Sequence, residues 1–326
     1  MKIAVIGGVE STALLIRKLH QHGYREVYVF TYAPADCSDV SGWCDIFSLS
    51  SGLGYSAIRF AKVIECLEAL TEYQPDWLFA VGLSQLIPDA IIRIPRLGCV
   101  GFHPTKLPLG RGRAPIAWIV MDGVPAAATF FRITGGVDDG PIMEQEEVNI
   151  VPGDDASSVS TKVLDAMSEA TDRLLRAIAN GVPICADQDH RLATWYGRRT
   201  PDDGCVVWED DAVKILKLIR SATNPHPGAF TFCGDERILI WKAEILYDPR
   251  KGVTGRILSI GIEQDFVVQC GFGLIKIVKW NSKNWRPRVG QQLGFFAQVE
   301  LSKIRERCSL LEAKIEGLER RFSIKI

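Results

Sequence analysis

Hydrophobic positions in the first half of the chain follow two alternating rhythms. Short β-branched and aromatic runs predict strands at Ile3–Ile6, Val27–Thr31, Ile46–Leu49, Trp77–Val81, Cys99–His103 and Ala127–Ile133. Between them, apolar residues spaced by three and four predict helices over Ser11–His22, Tyr55–Glu72, Ser84–Ile92, Pro115–Asp122 and Ala156–Ala179. Strands alternating with helices build an α/β fold, here a doubly wound, mostly parallel sheet. In such sheets ligands sit beyond the carboxyl ends of the strands, which makes residues 82–88 and 103–115 the expected site loops.

The rhythm changes after the last of these helices. A Pro-, Asp- and Arg-rich segment, GVPICADQDHRLATWYGRRTPDDGCVVW, reads as a linker or arm over 181–208, leaving 1–180 as the first domain. A helix at Asp210–Ala222 and short strand-like runs at Gly228–Phe232, Arg237–Ile245, Thr254–Ile260, Phe266–Cys270 and Leu274–Trp280 follow. Turn signals at Cys233-Gly234-Asp235 and Gly271-Phe272-Gly273 separate them, so 209–295 is expected to form a small, OB-like β-barrel. The final segment, 296–326, carries Leu301, Ile304, Cys308, Leu311, Ile315, Leu318 and Phe322 at alternating spacings of three and four. That is a heptad seam, suited either to packing along the chain's own barrel or to a two-chain coiled coil. Gly317 weakens either helix by about 1 kcal/mol relative to Ala.

Composition narrows the class. A 326-residue chain with 47% hydrophobic and 24% charged residues has ordinary globular character and exceeds the usual size of one domain. No apolar run reaches the roughly 18 residues of a membrane span, and the N-terminus enters a strand directly, so a soluble, cytoplasmic protein is expected. The nine cysteines are scattered without a C-x-x-C pair, which suggests reduced thiols and neither a disulfide framework nor a zinc site. A formal net charge of −1 argues against a nucleic-acid partner held through many phosphates.

The candidate chemistry lies in three places. Gly7-Gly8 closes the first strand, but the third glycine of a dinucleotide fingerprint is missing, so a tight turn with Ser11 as helix N-cap is the simpler reading. His103 ends a predicted strand and is followed by Pro104 and Thr105, which directs it to the cleft; Pro108, Gly110, Gly112 and Pro115 then shape an irregular loop bearing Arg111 and Arg113. A lone histidine in such a place is more often structural than catalytic. Gly135-Gly136-Val137-Asp138-Asp139-Gly140 brackets two carboxylates directly after another strand, and such acids ordinarily mark solvated turns. Taken with His103 they gain meaning, because a carboxylate beside an imidazole fixes its tautomer and stabilises its protonated form, as acid–base catalysis and oxyanion stabilisation require.

Those two segments, CVGFHPTKLPLGRGRAPIAWIVMDG and TFFRITGGVDDGPI, resemble the signature segments of the folate-dependent formyltransferases. WLFAVGLSQLIPDAIIRIPRLGC, and WYGRRTPDDGCVVW with LIRSATNPHPGAF, extend the likeness to about 280 residues, with the heptad helix outside it. The resemblance implies a Rossmann-like catalytic domain followed by an OB-like one, N10-formyltetrahydrofolate as co-substrate and no metal. It assigns catalysis to His103 and Asp138. It implies that the folate contacts Gly82, Leu83, Ser84, Gln85, Leu86 and Ile87 on one loop, and Thr134, Gly135, Gly136, Val137 and Asp138 on the other.

The family's third catalytic residue is an Asn two positions before the His; here that position is Gly101. Losing one oxyanion donor costs about 3 kcal/mol in other acyl-transfer sites. Gln85, Lys106 and Ser84 are the candidate replacements, and Gln85 is preferred for its amide.

The acceptor is read by elimination within the family. A second domain argues against glycinamide ribonucleotide. The region APADCSDVSGWCDIF carries no Lys or Arg where the methionyl-tRNA enzymes have a basic loop. The loop HPTKLPLGRGR most resembles enzymes that formylate amino sugars, typically nucleotide-linked sugars for surface polysaccharides, which are commonly dimers; the heptad helix offers an interface. Thr105, Lys106, Arg111, Gly112, Arg113, Arg198 and Arg199 are then the expected substrate contacts. Methionyl-tRNA formylation, and an inactive relative that binds sugar nucleotide or folate without turnover, remain the alternatives.

Overall fold

The computed structural model describes residues 1–37, 40–181, 183–294 and 297–323. The chain divides into two compact units: Met1–Gly204 with Lys217–Gly228, and Cys205–Leu216 with Ala229–Ile326.

The first unit opens with β1 (Ile3–Gly7), α1 (Glu10–Gln21), β2 (Val27–Tyr32), α2 (Ile46–Gly52), β3 (Ser56–Phe60), α3 (Leu67–Tyr73) and β4 (Trp77–Ala80). It continues with α4 (Asp89–Ile92), β5 (Gly98–Thr105), β6 (Arg111–Gly112), α5 (Pro115–Asp122), β7 (Ala126–Arg132), β8 (Ile142–Val148), α6 (Ala156–Ala179) and β9 (Trp195–Tyr196). Seven strands form one sheet in the order β3-β2-β1-β4-β5-β7-β8. The first five are parallel; β7 and β8 join antiparallel.

Alternation along β1 shows why both faces are covered. Ile3 and Val5 enter a core with Leu15, Ile16 and Leu19 of α1 and Met167, Leu174 and Leu175 of α6. Ala4 and Ile6 point the other way, into a core with Leu70 and Ile91. The chain order reverses direction at β1, between β2 and β4, so the crevice of a doubly wound sheet opens at the carboxyl ends of these strands.

Several sequence-based boundaries are corrected. Ile46–Leu49 is the start of α2, not a strand, because Asp45 caps it by accepting from the Ser48 backbone at 3.1 Å. The predicted helix Tyr55–Glu72 begins instead with strand β3, and only its later part is helical. Ser84–Ile92 shrinks to α4, whose N-cap is Pro88; residues before a proline are biased away from helix. Ser11 is not the N-cap of α1: Val9 holds that position, and Thr12 takes up the Val9 N–H at 3.3 Å while donating to the Val81 carbonyl at 2.7 Å. Strand β8, unread in the sequence, is rich in Glu because it sits at the sheet edge.

The segment read as a linker lies within the first unit as far as Gly204, and residues 205–208 belong to the second. Its strand β9 pairs in parallel with β6, joining Arg111 to Trp195 and Gly112 to Tyr196. Helix α7 (Ala212–Ala222) is shared between the units at Leu216.

The second unit holds β10 (Ala229–Cys233), β11 (Glu236–Leu246), β12 (Ile257–Ile260), β13 (Phe266–Gln269) and β14 (Leu274–Asn281), then α8 (Ala297–Ser323). Its strands form an antiparallel sheet ordered β10-β11-β14-β13-β12, and among the described residues no ladder joins β10 to β12 to close a barrel. Trp208 is buried against it, with its indole N–H donated to Thr231 Oγ1 at 2.9 Å. No described helix is long and apolar enough to cross a membrane.

Candidate active site

Strand β5 carries His103 on the same side of the backbone as Gly101, two residues earlier. The imidazole is 5% exposed, and Nε2 lies 2.8 Å from the Gly110 carbonyl. A carbonyl only accepts, so Nε2 carries the hydrogen. That leaves Nδ1 facing Asp138 Oδ2 at 3.5 Å. The approach is of ion-pair length and longer than a hydrogen bond, and it sets the carboxylate and the imidazole edge to edge as an acid–base dyad.

Asp138 is held in place from three directions. Its backbone is left-handed, φ +49°, a conformation that L-residues adopt only when their surroundings enforce it. Oδ2 accepts from the Gly112 N–H at 2.9 Å, and the Asp138 carbonyl accepts from Gln188 Nε2 at 2.9 Å. The same amide donates to the Gly140 carbonyl at 2.6 Å. Oδ1 takes no hydrogen bond from the described residues. The neighbouring acid is excluded from this role: the Thr134 hydroxyl donates to Asp139 Oδ1, turning that carboxylate into its own loop.

Gln188 is in turn gripped by Arg111. The guanidinium donates through Nε (3.2 Å) and Nη2 (2.7 Å) to Gln188 Oε1, and Nη2 also lies 3.0 Å from His190 Nδ1. Arg111 is 2% exposed and Gln188 5%. Gly112 permits the close approach that aligns the two segments. Its φ is +110°, and a Cβ there would stand 2.3 Å from the Tyr196 carbonyl. The arm thus fastens both the histidine loop and the aspartate loop. Sequence reading missed Gln188 and His190, because partners 50 and 79 residues away leave no local periodicity.

The structure brings His103, Asp138 and Gly112 together and distributes the other predicted residues differently. Gln85 does not reach the dyad with its amide: Oε1 accepts from the Val63 N–H and Nε2 donates to the Ala61 carbonyl, both at 2.8 Å. It braces the β3–α3 connection, away from the place of the Asn that it was expected to replace. Thr105 is buried, its hydroxyl donated to the Leu109 carbonyl at 2.7 Å, which ties the loop internally. Lys106 pairs with Glu147. Arg111, expected as a substrate contact, is buried and bonded to Gln188. Arg199 is half-buried over the Trp118 ring and donates to the Asp203 carbonyl at 3.1 Å; burial pulls its guanidinium below the ordinary range. Arg113 and Arg198 are the exposed cations of the set.

The two expected folate loops are neighbours. Leu83 and Ile87, after β4, and Ile133, which leads into Thr134–Asp138, all pack against the same core. Leu86 and Val137 are exposed, at 76% and 45%.

At Gly101 the departure from the family pattern has a structural counterpart. Phe131 of β7 stands opposite in register, and a Cβ at 101 would fall 2.7 Å from its Cζ and 3.0 Å from Ile133 Cγ1. An aromatic ring laid over a strand glycine fills the space that a side chain would need.

A carboxylate–imidazole dyad thus lies at the carboxyl ends of a doubly wound sheet, in a chain that continues into an antiparallel sheet unit. The family model described as "Formyl transferase" matches residues 1–175, more than half of the chain, and "Formyl transferase, C-terminal domain" matches 198–288. The chain belongs to the formyl transferase family. Among solved structures it is similar to HypX from Aquifex aeolicus in complex with tetrahydrofolic acid (TM-score 0.63, 18% identity, 87% of this chain and 44% of that one). It is also similar to an N-formyltransferase from Helicobacter canadensis in complex with folinic acid and dTDP-3-aminofucose (0.65, 13%, 86% and 100%). A third is the methionyl-tRNA formyltransferase from Clostridium thermocellum (0.55, 18%, 77% and 95%). The chain spans less than half the length of the HypX protein.

Proposed function

We propose that the chain transfers a formyl group from N10-formyltetrahydrofolate to the amine of a nucleotide-linked amino sugar. The observation that carries this reading is the buried His103–Asp138 pair, set beside the loops Gly82–Ile87 and Thr134–Asp138 that would receive the folate. In the proposed reaction the neutral amine adds to the formyl carbon, its proton passes to the dyad, and the dyad returns a proton to N10 as tetrahydrofolate leaves. Asp138 Oδ1 offers the open acceptor, while the histidine, anchored on Gly110, balances the charge.

The amino-sugar acceptor is favoured by the absence of Lys and Arg from 33–47 and by a net charge of −1, since tRNA binding depends on phosphate neutralisation. That an N-formyltransferase crystallised with an aminofucose nucleotide has this fold supports the same choice. Exposed Arg113 and Arg198 supply cations for a diphosphate.

The test is tetrahydrofolate release and N-formylated product formation with formyl-tetrahydrofolate and a panel of amino-sugar nucleotides. His103→Ala and Asp138→Ala should each lower turnover at least about a hundredfold. Turnover on initiator tRNA that falls steeply with salt, and none on sugars, would overturn the acceptor. A second reading rests on Gly101 and Phe131: with the ring occupying the space of the missing amide, the chain binds folate or sugar nucleotide without turnover. Saturable folate binding with no transfer to any amine would establish that reading instead.

A further inference from the structure

Helix α8 leaves its apolar seam uncovered. Every described side chain from Leu301 to Leu318 is exposed; Leu301, Ile304, Leu311, Ile315 and Leu318 stand at 52–56%, and Cys308 is exposed between them. Helices in water draw most of their stability from burying one face, and a stripe of this length on a helix with no packed face is an interface without its other half.

We propose that α8 forms a parallel, in-register, two-stranded coiled coil with a second copy of this chain. Two independent features select that partner and that orientation. The first is the seam: with Leu301 at a, Cys308 and Ile315 also fall at a and Ile304, Leu311 and Leu318 at d, so the last heptad, Ile315 at a with Leu318 at d, has the combination that favours two strands. The second is the charge on its flanks. In a parallel pair each g residue meets the e residue of the next heptad on the other copy. Here Arg307 meets Glu312, and the sequence repeats opposite signs at Glu300 and Arg305 and at Lys314 and Glu319. An antiparallel pairing on the same seam sets Arg307 against Lys314. One ion pair within the helix, Arg320 to Glu316 at 3.8 Å, uses f and b positions, off the seam.

The register makes one further demand. Cys308 occupies an a position, so in the parallel arrangement the two Cys308 thiols face each other, within reach of a disulfide.

The experiment uses the full chain at micromolar concentration, with mass by light scattering and mild oxidation by copper-phenanthroline. The expected result is a two-chain mass that falls to one chain in Leu311→Lys, with the near-ultraviolet circular dichroism of both units retained. A covalent dimer should form on oxidation, disappear in Cys308→Ser and persist in Cys37→Ser. The wild-type link keeps the test decisive even where Leu311→Lys disturbs folding. A one-chain mass for the wild type overturns the proposal. So does a two-chain species that survives Leu311→Lys, or one that never forms the Cys308 link, since these mean an interface elsewhere or an antiparallel pair.

Discussion

Gln188 governs more of the candidate site than its position suggests. Its carbonyl oxygen neutralises the hydrogen-bonding demand of a buried guanidinium, and its amide hydrogens hold two carbonyls of the aspartate loop. Gln188→Ala leaves Arg111 buried with a weakened partner set, a loss of about 2–4 kcal/mol readable in urea unfolding. Formyl transfer should fall roughly tenfold through kcat, with KM for the formyl donor little changed, because the loop no longer aims the carboxylate. Gln188→Glu separates the two duties: it still receives Arg111 but opposes the Asp138 and Gly140 carbonyls with an acceptor. Full transfer by Gln188→Glu would show that the donations to the loop do not matter. Gln85→Ala should instead lower the melting temperature without a selective loss of kcat, since its amide serves Ala61 and Val63.

At the scale of elements, the connection after α7 carries a pH dependence. His226 is largely enclosed: Nδ1 lies 3.2 Å from Ser41 Oγ, and Nε2 is shielded from solvent without a partner. Burial, with the Arg199 charge adding to it, pushes the imidazole down from 6.5 to about 4. The unfolded chain therefore binds a proton that the folded chain refuses between those values, so stability is full above about pH 6.5 and is lost as pH falls toward 4. The loss is on the order of 2–3 kcal/mol, and His226→Gln should flatten that part of a stability profile measured by denaturant titration.

Elements also mark where sequence reading succeeded and failed. Strands β1, β2, β4, β5 and β7 were legible because their apolar runs are buried on both faces. Strand β3 was mistaken for helix because at its outer position the exposed residues, Ser56 and Arg59, stand three apart and do not alternate, and β8 was missed because Glu144, Glu146 and Glu147 mask its pattern. The bracketing Gly and Pro suggested a carboxylate beside His103, and the resemblance to the formyltransferases singled out Asp138. Gln188 could not be found in this way, because its contacts are set by the β6–β9 ladder, which is a tertiary event.

For the whole molecule, the unit that holds the site is not one continuous stretch: Met1–Gly204 is completed by Lys217–Gly228, with Arg220 donating to the Pro152 carbonyl at 2.6 Å. A chain ending after Ala179 retains β1–β8 and the dyad but lacks Gln188 and β9. It should bind folate weakly and show transfer at the level of Asp138→Ala, whereas a chain ending after Gly228 should recover much of the full-length rate. Equal activity of the shorter chain, measured alongside its melting curve, would show that the arm is dispensable.

The short ladder between Arg111–Gly112 and Trp195–Tyr196 has an evolutionary corollary. A gene fragment encoding only the segments with chemical signatures would specify the reacting groups but not their fastening. Recombination that exchanged everything after the apparent boundary near residue 180 would therefore separate a lock from its latch. Viable chimeras should cross over beyond β9, so the heritable module at this site is longer than the catalytic one.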